Sequence, residues 1–189
     1  MRITETDALI VVDVQNDFCT GGALPVPQGE AVVGPINRVM GKFEHVAFSR
    51  DWHPSDHCSF GFPPEYRDGS WPAHCVQDTP GAEFHGDLRV PLDAIFVEKG
   101  ANSGIEAYSA FHDTPLYDQL RRHEITRVFV AGLALDFCVK ATALDAKRLG
   151  FETCLLADAT RPVTPEGGDA ALGELAAAGV AAVRTDALS

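Results

Sequence analysis

Cys138, Asp13 and Lys99 are chemically capable side chains, and each closely follows an apolar run, at residues 128–131, 8–12 and 94–97 respectively. Cys138 comes after Ala131-Gly132-Leu133-Ala134-Leu135-Asp136-Phe137, which reads as a strand-to-helix turn. A cysteine placed there feels the positive end of a helix dipole, which favours thiolate. The surrounding backbone N–H groups can bind a developing oxyanion. Asp13 follows Val11-Val12, so a strand end would hold its carboxylate partly out of water and move it toward general-base range. Lys99, after Ile95-Phe96-Val97-Glu98, would supply a positive charge that favours ionised sulfur and holds both partners. Such a set performs nucleophilic acyl chemistry. Singly, each residue has a plainer reading: a buried cysteine packing as a small hydrophobe, an aspartate capping the next segment, a solvated lysine. Their shared placement at strand ends is what points to chemistry. Cys154 lies inside a strand-like run and Cys19, Cys58 and Cys75 lie in loops, so none has that support.

A second constellation begins at Asp51-Trp52-His53-Pro54-Ser55-Asp56-His57 and continues at Trp71-Pro72-Ala73-His74. Two imidazoles four apart, His53 and His57, with the Asp51 carboxylate two before the first and His74 nearby, can form an N₃O site. Imidazole suits zinc, iron, nickel or copper, and one carboxylate plus waters also admits manganese. Pro54 disfavours a regular helix through His53, so a loop must wrap the site. Asp51 closely follows the apolar run 46–49 and is held more rigidly than Asp56. The pairs His57-Cys58 and His74-Cys75 raise a rival, a structural His/Cys zinc site. Their spacing does not match the paired-cysteine patterns of such sites. His45, His85, His112 and His123 belong to no cluster.

The elements that must position these residues alternate. Strand-like runs cover residues 8–14, 44–50, 94–98, 127–131, 151–157 and 180–184, and helix-like spacing covers 32–43, 116–123, 137–149 and 165–178. Pro35 fits only near the first turn of its helix. Apolar strands alternating with helices imply a mostly parallel six-stranded sheet between two helical layers, a three-layer α/β/α architecture. In such a sheet the ligand crevice lies beyond the carboxyl ends of the strands, where Asp13, Asp51, Lys99 and Cys138 would converge. Residues 51–91 are rich in Pro, Gly, His and aromatics, a long segment of the kind that carries function. No repeat or linker divides the chain, so residues 1–189 read as one domain.

The balance of 27 acidic against 15 basic residues, −12 net, argues against nucleic-acid and anionic-membrane partners. No apolar stretch approaches the roughly 18–20 residues needed to span a bilayer. The N-terminal residues lack a basic segment and a small-residue cleavage site. Five irregularly spaced cysteines do not make a disulfide framework, so reduced thiols and a cytoplasmic location are expected.

In chain order, Asp13-Val14-Gln15-Asn16-Asp17-Phe18, Asp51-Trp52-His53-Pro54 with His57, Trp71-Pro72-Ala73-His74-Cys75-Val76, Lys99-Gly100 and Gly132-Leu133-Ala134-Leu135-Asp136-Phe137-Cys138-Val139 resemble the motifs of the nicotinamidase branch of the isochorismatase-like cysteine hydrolases. The resemblance spans nearly the whole chain and implies the Rossmann-like, isochorismatase-like hydrolase fold. It implies Cys138 as nucleophile, Asp13 as general acid/base and Lys99 as the orienting charge, with the N–H groups of Ala134 and Cys138 as oxyanion hole and a cis peptide at Leu133–Ala134. Asp51, His53 and His74 would bind one divalent ion, commonly zinc with iron or manganese as variants, and His57 would be a ligand or the partner of one. Phe18, Trp71 and Leu133 would line the substrate pocket, with Tyr108 a weaker candidate in a variable segment. The implied activity is metal-dependent hydrolysis of the small molecule nicotinamide to nicotinate and ammonia through a cysteine thioester, serving NAD salvage, with pyrazinamide as a further substrate. A homo-oligomer is compatible with it. Two other readings stay open: a sibling amidohydrolase acting on a carbamoyl or ureido substrate, and a non-catalytic metal-binding protein of the same fold.

Overall fold

Strand β1 (Asp7–Val12) is buried along its whole length, because it lies at the centre of the sheet. The computed structural model describes residues 1–189 and forms one six-stranded sheet in the order β3-β2-β1-β4-β5-β6. The other strands are β2 (His45–Asp51), β3 (Ile95–Lys99), β4 (Arg127–Leu133), β5 (Glu152–Arg161) and β6 (Ala181–Val183). Every pairing is parallel. From β1 the chain steps outward to β2 and β3, then returns to the other side of β1 for β4. The junction of β1 and β4 is therefore the topological switch point, where the crossovers leave a crevice.

Side chains alternate across the sheet with period two. Leu9 and Val11 join the core layer beneath α1 (Val33–Met40), whose Val33, Ile36 and Val39 pack there. Ala8, Ile10 and Val12 face the opposite layer, built from α2 (Leu116–Arg122), α3 (Lys140–Arg148) and α4 (Pro165–Ala177). Pro165 occupies the first turn of α4 and Thr164 caps it, accepting from the Gly167 N–H at 3.0 Å, as the sequence pattern requires. None of these helices is long and apolar enough to cross a membrane.

Two boundaries differ from the sequence reading in ways that matter for chemistry. The helix expected over 137–149 is divided into a π-helical turn, Leu135–Val139, and α3, so Cys138 sits inside a widened turn. Strand β5 runs to Arg161 rather than ending at 157, and its pairing with β4 is irregular between Val130 and Gly132. The long segment after β2 contains only a short 3-10 turn, Pro80–Ala82, and isolated bridges such as His53↔Val76 and Phe60↔Trp71. Scattered backbone bonds, such as the Gln77 N–H to the His53 carbonyl at 2.8 Å, and side-chain anchors organise it.

Gly132 permits the close approach of β4 to β1. Its φ is +115°, and a Cβ there would lie 2.0 Å from the Val12 carbonyl oxygen. Side chains rarely adopt that backbone region, and no flexible atom can give way. Gly132→Ala is expected to destabilise the fold by about 2–4 kcal/mol, read as a lowered midpoint of denaturant unfolding. An unchanged midpoint would show that β4 can move away from β1.

Candidate active site

Parallel register brings the charged strand ends together. Asp51 and Lys99 close β2 and β3 and are paired residues in the ladder. Asp13 follows β1 in the left-handed region, φ +48°, and its N–H donates to the Ser49 carbonyl at 3.1 Å. Cys138 arrives from the π turn after β4. The Lys99 ammonium, 1% exposed, lies 2.9 Å from Asp13 Oδ2. It also donates to Asp51 Oδ1 and to the Ala107 carbonyl at 3.1 Å, and reaches Cys138 Sγ at 3.4 Å. Ligating atoms of Asp13, Asp51 and Cys138 lie within 4.8 Å of one another.

Burial and this single cation divide the charges. Burial pushes the Asp13 carboxyl up to about 6, against the pull of Lys99. Burial also opposes ionisation of Asp51, but Lys99 and His53 outweigh it and hold that carboxyl well below the usual range. Lys99 loses hydration, yet Asp13 and Asp51 keep it charged far above the ordinary lysine range. The Cys138 thiol is pushed up by burial, and Lys99 offsets this only in part. Cys138 therefore rests as a thiol, contrary to the thiolate expected from a helix dipole. A partner must take its proton, and Asp13 is the nearby carboxyl raised toward neutrality.

Beside this cluster, Asp51 Oδ2 faces His53 Nε2 at 3.6 Å and His74 Nε2 at 3.9 Å. A carbonyl can only accept, so the Gly100 carbonyl, 3.0 Å from His53 Nδ1, and the Pro72 carbonyl, 2.8 Å from His74 Nδ1, fix both Nδ1 atoms as donors. Both Nε2 atoms are left facing Asp51. Their ligating atoms lie within 4.8 Å of one another in buried residues, a donor set that fits one divalent ion with further positions open. His57 is placed differently. Its Nε2 donates to the Ile105 carbonyl at 3.0 Å and its Nδ1 accepts from Ser59 Oγ at 2.7 Å. Its ring stacks on His53 with centroids 4.1 Å apart, so it backs a ligand candidate rather than offering a lone pair. Asp56 is exposed and outside the cluster.

A cavity of about 720 Å³ opens onto both groups, lined by Phe18, Trp71, Tyr108, Ala134, Phe137 and Cys138 together with Asp51, His53 and His74. Tyr108 is tied into the wall: its hydroxyl donates to Asp68 Oδ1 at 2.5 Å and accepts from Trp71 Nε1 at 3.0 Å. Leu133, expected in the pocket, is fully buried in the α1-side core and does not line the cavity. It ends β4, and the side-chain alternation of that strand turns it into the core. The Leu133–Ala134 peptide is cis, and the Ala134 N–H, beside the cavity, donates to no protein acceptor.

Several contributors were not singled out from sequence. The Gln15 amide clamps Asp51 at both backbone groups, donating to its carbonyl and accepting from its N–H at 2.8 Å each. Asp17 Oδ2 accepts from the Cys75 N–H at 2.7 Å and anchors the His74 loop. Phe137 meets Trp71 edge-on at 5.4 Å. Gln15 and Asp17 stand inside the Asp13 motif, which was their available signal; nothing in the sequence distinguished Phe137 from core.

An open parallel sheet whose switch point carries buried titratable groups and an aromatic-walled cavity defines an α/β enzyme with a small-molecule site. The chain belongs to the isochorismatase family, whose Isochorismatase domain matches residues 7–187. It is 42% identical over 195 residues to the nicotinamidase of Escherichia coli, with 91% of this chain and 92% of that one covered. The pyrazinamidase of Pyrococcus horikoshii, solved in complex with zinc, superposes with a TM-score of 0.88 at 44% identity, covering 95% of this chain and 99% of that one. PnC1 from L. infantum, solved in complex with nicotinate, gives a TM-score of 0.92 at 38% identity, with 100% and 98% covered.

Gly100 tests the histidine geometry. Its φ is +61°, and a Cβ there would lie 2.4 Å from His53 Cε1. Gly100→Ala is expected to push His53 aside and weaken metal affinity by about 10- to 100-fold, measured by competition with a chromophoric chelator. Wild-type affinity would mean that His53 is not held in place by this contact.

Proposed function

We propose that this chain hydrolyses nicotinamide to nicotinate and ammonia through a Cys138 thioester, with pyrazinamide as a further substrate. One observation carries the reading: a single buried ammonium, Lys99, joins the Asp13–Cys138 pair to Asp51 of the His53–His74 cluster. Cys138 and the cluster that would anchor the ring therefore line one cavity. Relatives named nicotinamidase and pyrazinamidase, and neighbours solved with zinc and with nicotinate, support the same substrate.

Asp51, His53 and His74 would hold the ion, with zinc as the proposed metal. Bound there, it would anchor the pyridine nitrogen and so orient the amide, a positioning role. Phe18 and Trp71 would sandwich the flat ring, with Tyr108 and Phe137 bracing the tryptophan. Asp13 takes the Cys138 proton as sulfur attacks the carboxamide carbon. The N–H groups of Ala134 and Cys138 receive the oxyanion. Asp13 then protonates the departing nitrogen, which leaves as ammonia. Asp13 next draws a proton from water as its oxygen attacks the thioester; the C–S bond breaks, nicotinate is released, and the proton returns to sulfur. Lys99 stays protonated throughout and keeps Asp13 and Cys138 in register. All five cysteines are free, which suits the reducing cytoplasm we assign to the protein.

Three measurements test this. Purified protein is expected to release ammonia from nicotinamide, to lose that activity on chelation, and to regain it with added zinc; no release with any of zinc, iron or manganese would overturn the substrate assignment. Cys138→Ala is expected to lower kcat by about 10⁴-fold or more while binding metal normally, whereas His53→Ala loses metal and raises KM; wild-type turnover by Cys138→Ala would remove Cys138 as nucleophile. The base must be ionised to accept a proton, so kcat/KM is expected to fall below the raised Asp13 value of about 6, with one proton per site on the acid limb. An acid limb near ordinary carboxylate values would assign the proton transfer to another group.

A further inference from the structure

One buried hydroxyl touches the reacting set and has no part in the steps above. Ser49 lies on β2, fully buried, and its Oγ donates to Asp13 Oδ1 at 2.7 Å. The Ser49 carbonyl also accepts the Asp13 N–H at 3.1 Å. In the ladder Ser49 is the partner of Val12, so Asp13 leaves the strand directly beside it. Asp13 is thus held at two points by one residue of the neighbouring strand, just where its own backbone turns left-handed.

This clamp makes the two carboxylate oxygens inequivalent. Oδ1 is occupied by a fixed donor. Oδ2 has the Lys99 ammonium as charge partner at 2.9 Å, but no donor meets hydrogen-bond geometry toward it. A carboxylate free to turn about its Cβ–Cγ bond would present either oxygen to sulfur. The strand-borne hydroxyl removes that freedom, and orientation of a reacting group is where a small displacement costs rate.

We propose that Ser49 is the positioning residue of the acid/base step: it clamps Asp13 so that Oδ2 exchanges the proton with Cys138 Sγ. The S–H bond breaks, the electron pair stays on sulfur and an Oδ2–H bond forms, while Ser49 keeps its own proton. The inference rests on the roles assigned to Asp13 and Cys138 under Proposed function. A hydroxyl that only satisfied a buried oxygen would affect folding and leave the chemistry of sulfur alone.

The experiment compares the zinc-loaded full chain with Ser49→Ala, Ser49→Thr and Ser49→Val. The threonine and valine variants have the same shape with and without the hydroxyl, so the comparison survives if the alanine variant fails to fold. Two readouts are taken: kcat and KM for nicotinamide, and the rate at which iodoacetamide alkylates Cys138 without nicotinamide. Peptide-resolved mass spectrometry separates Cys138 from the exposed Cys58. Both kcat and the alkylation rate are expected to fall by about 10- to 100-fold in Ser49→Ala and Ser49→Val, with KM within about twofold of wild type, and to recover in Ser49→Thr. Unchanged rates in a folded Ser49→Ala would overturn the proposal, as would equal losses in Ser49→Thr and Ser49→Val. Alkylation that follows the hydroxyl in a protein that does not turn over nicotinamide would support Ser49 while rejecting the substrate.

Discussion

The Lys99 ammonium has given up bulk water for two carboxylates and a backbone carbonyl, Asp13, Asp51 and Ala107. Burying a cation is tolerable only when partners restore what hydration supplied. The carboxylates are themselves buried and depend on the ammonium in turn. Removing one member of such a set leaves an uncompensated charge and costs about 3–5 kcal/mol. The constraint reaches outward into the sheet, since β1, β2 and β3 must end level with one another for the three side chains to meet.

Asp51 shows how one carboxylate serves two neighbourhoods. Its Oδ1 belongs to Lys99 and its Oδ2 faces the two imidazoles. Such a bridge requires a rigid carrier, and the Gln15 amide provides it by gripping both backbone groups of Asp51. Gln15 is itself fully buried and also donates to the Ala82 carbonyl at 2.9 Å, tying the long segment after β2 to the end of β1. Asp17 does the same for the His74 loop. A segment with few ladders of its own is thus anchored by side chains of the Asp13 motif. Such anchoring is what a preorganised metal site needs.

The charge pattern also supports the role of proton carrier that we propose for Asp13. Lys99 attends two carboxylates, and Asp51 has the added pull of His53, so burial prevails at Asp13 and not at Asp51. Two similar residues are thereby given different chemistry by their surroundings. The sulfur is kept protonated by the same burial, which couples its reactivity to the neighbouring base.

Much of this was legible in the chain. Apolar runs ending in Asp13, Asp51 and Lys99 foretold strands and the crevice at their ends, because buried parallel strands have a composition and a length that local sequence reveals. The spacing of Asp51, His53 and His57, with His74 further on, announced a metal-ligand set for the same local reason, and the fold brings Asp51, His53 and His74 of it together. Orientation was not legible, since it depends on groups distant in sequence. Only the folded chain shows His57 spending both ring nitrogens on Ser59 and Ile105. It alone turns Leu133 into the core, draws Cys138 into a π turn, and buries that thiol so that its ionisation is opposed. Residue type and periodicity are written along the chain and determined the fold class and the candidate groups. Hydrogen-bond partners, burial and the resulting proton affinities arise between β1, β2, β3 and the turn after β4, and tertiary structure alone decided them.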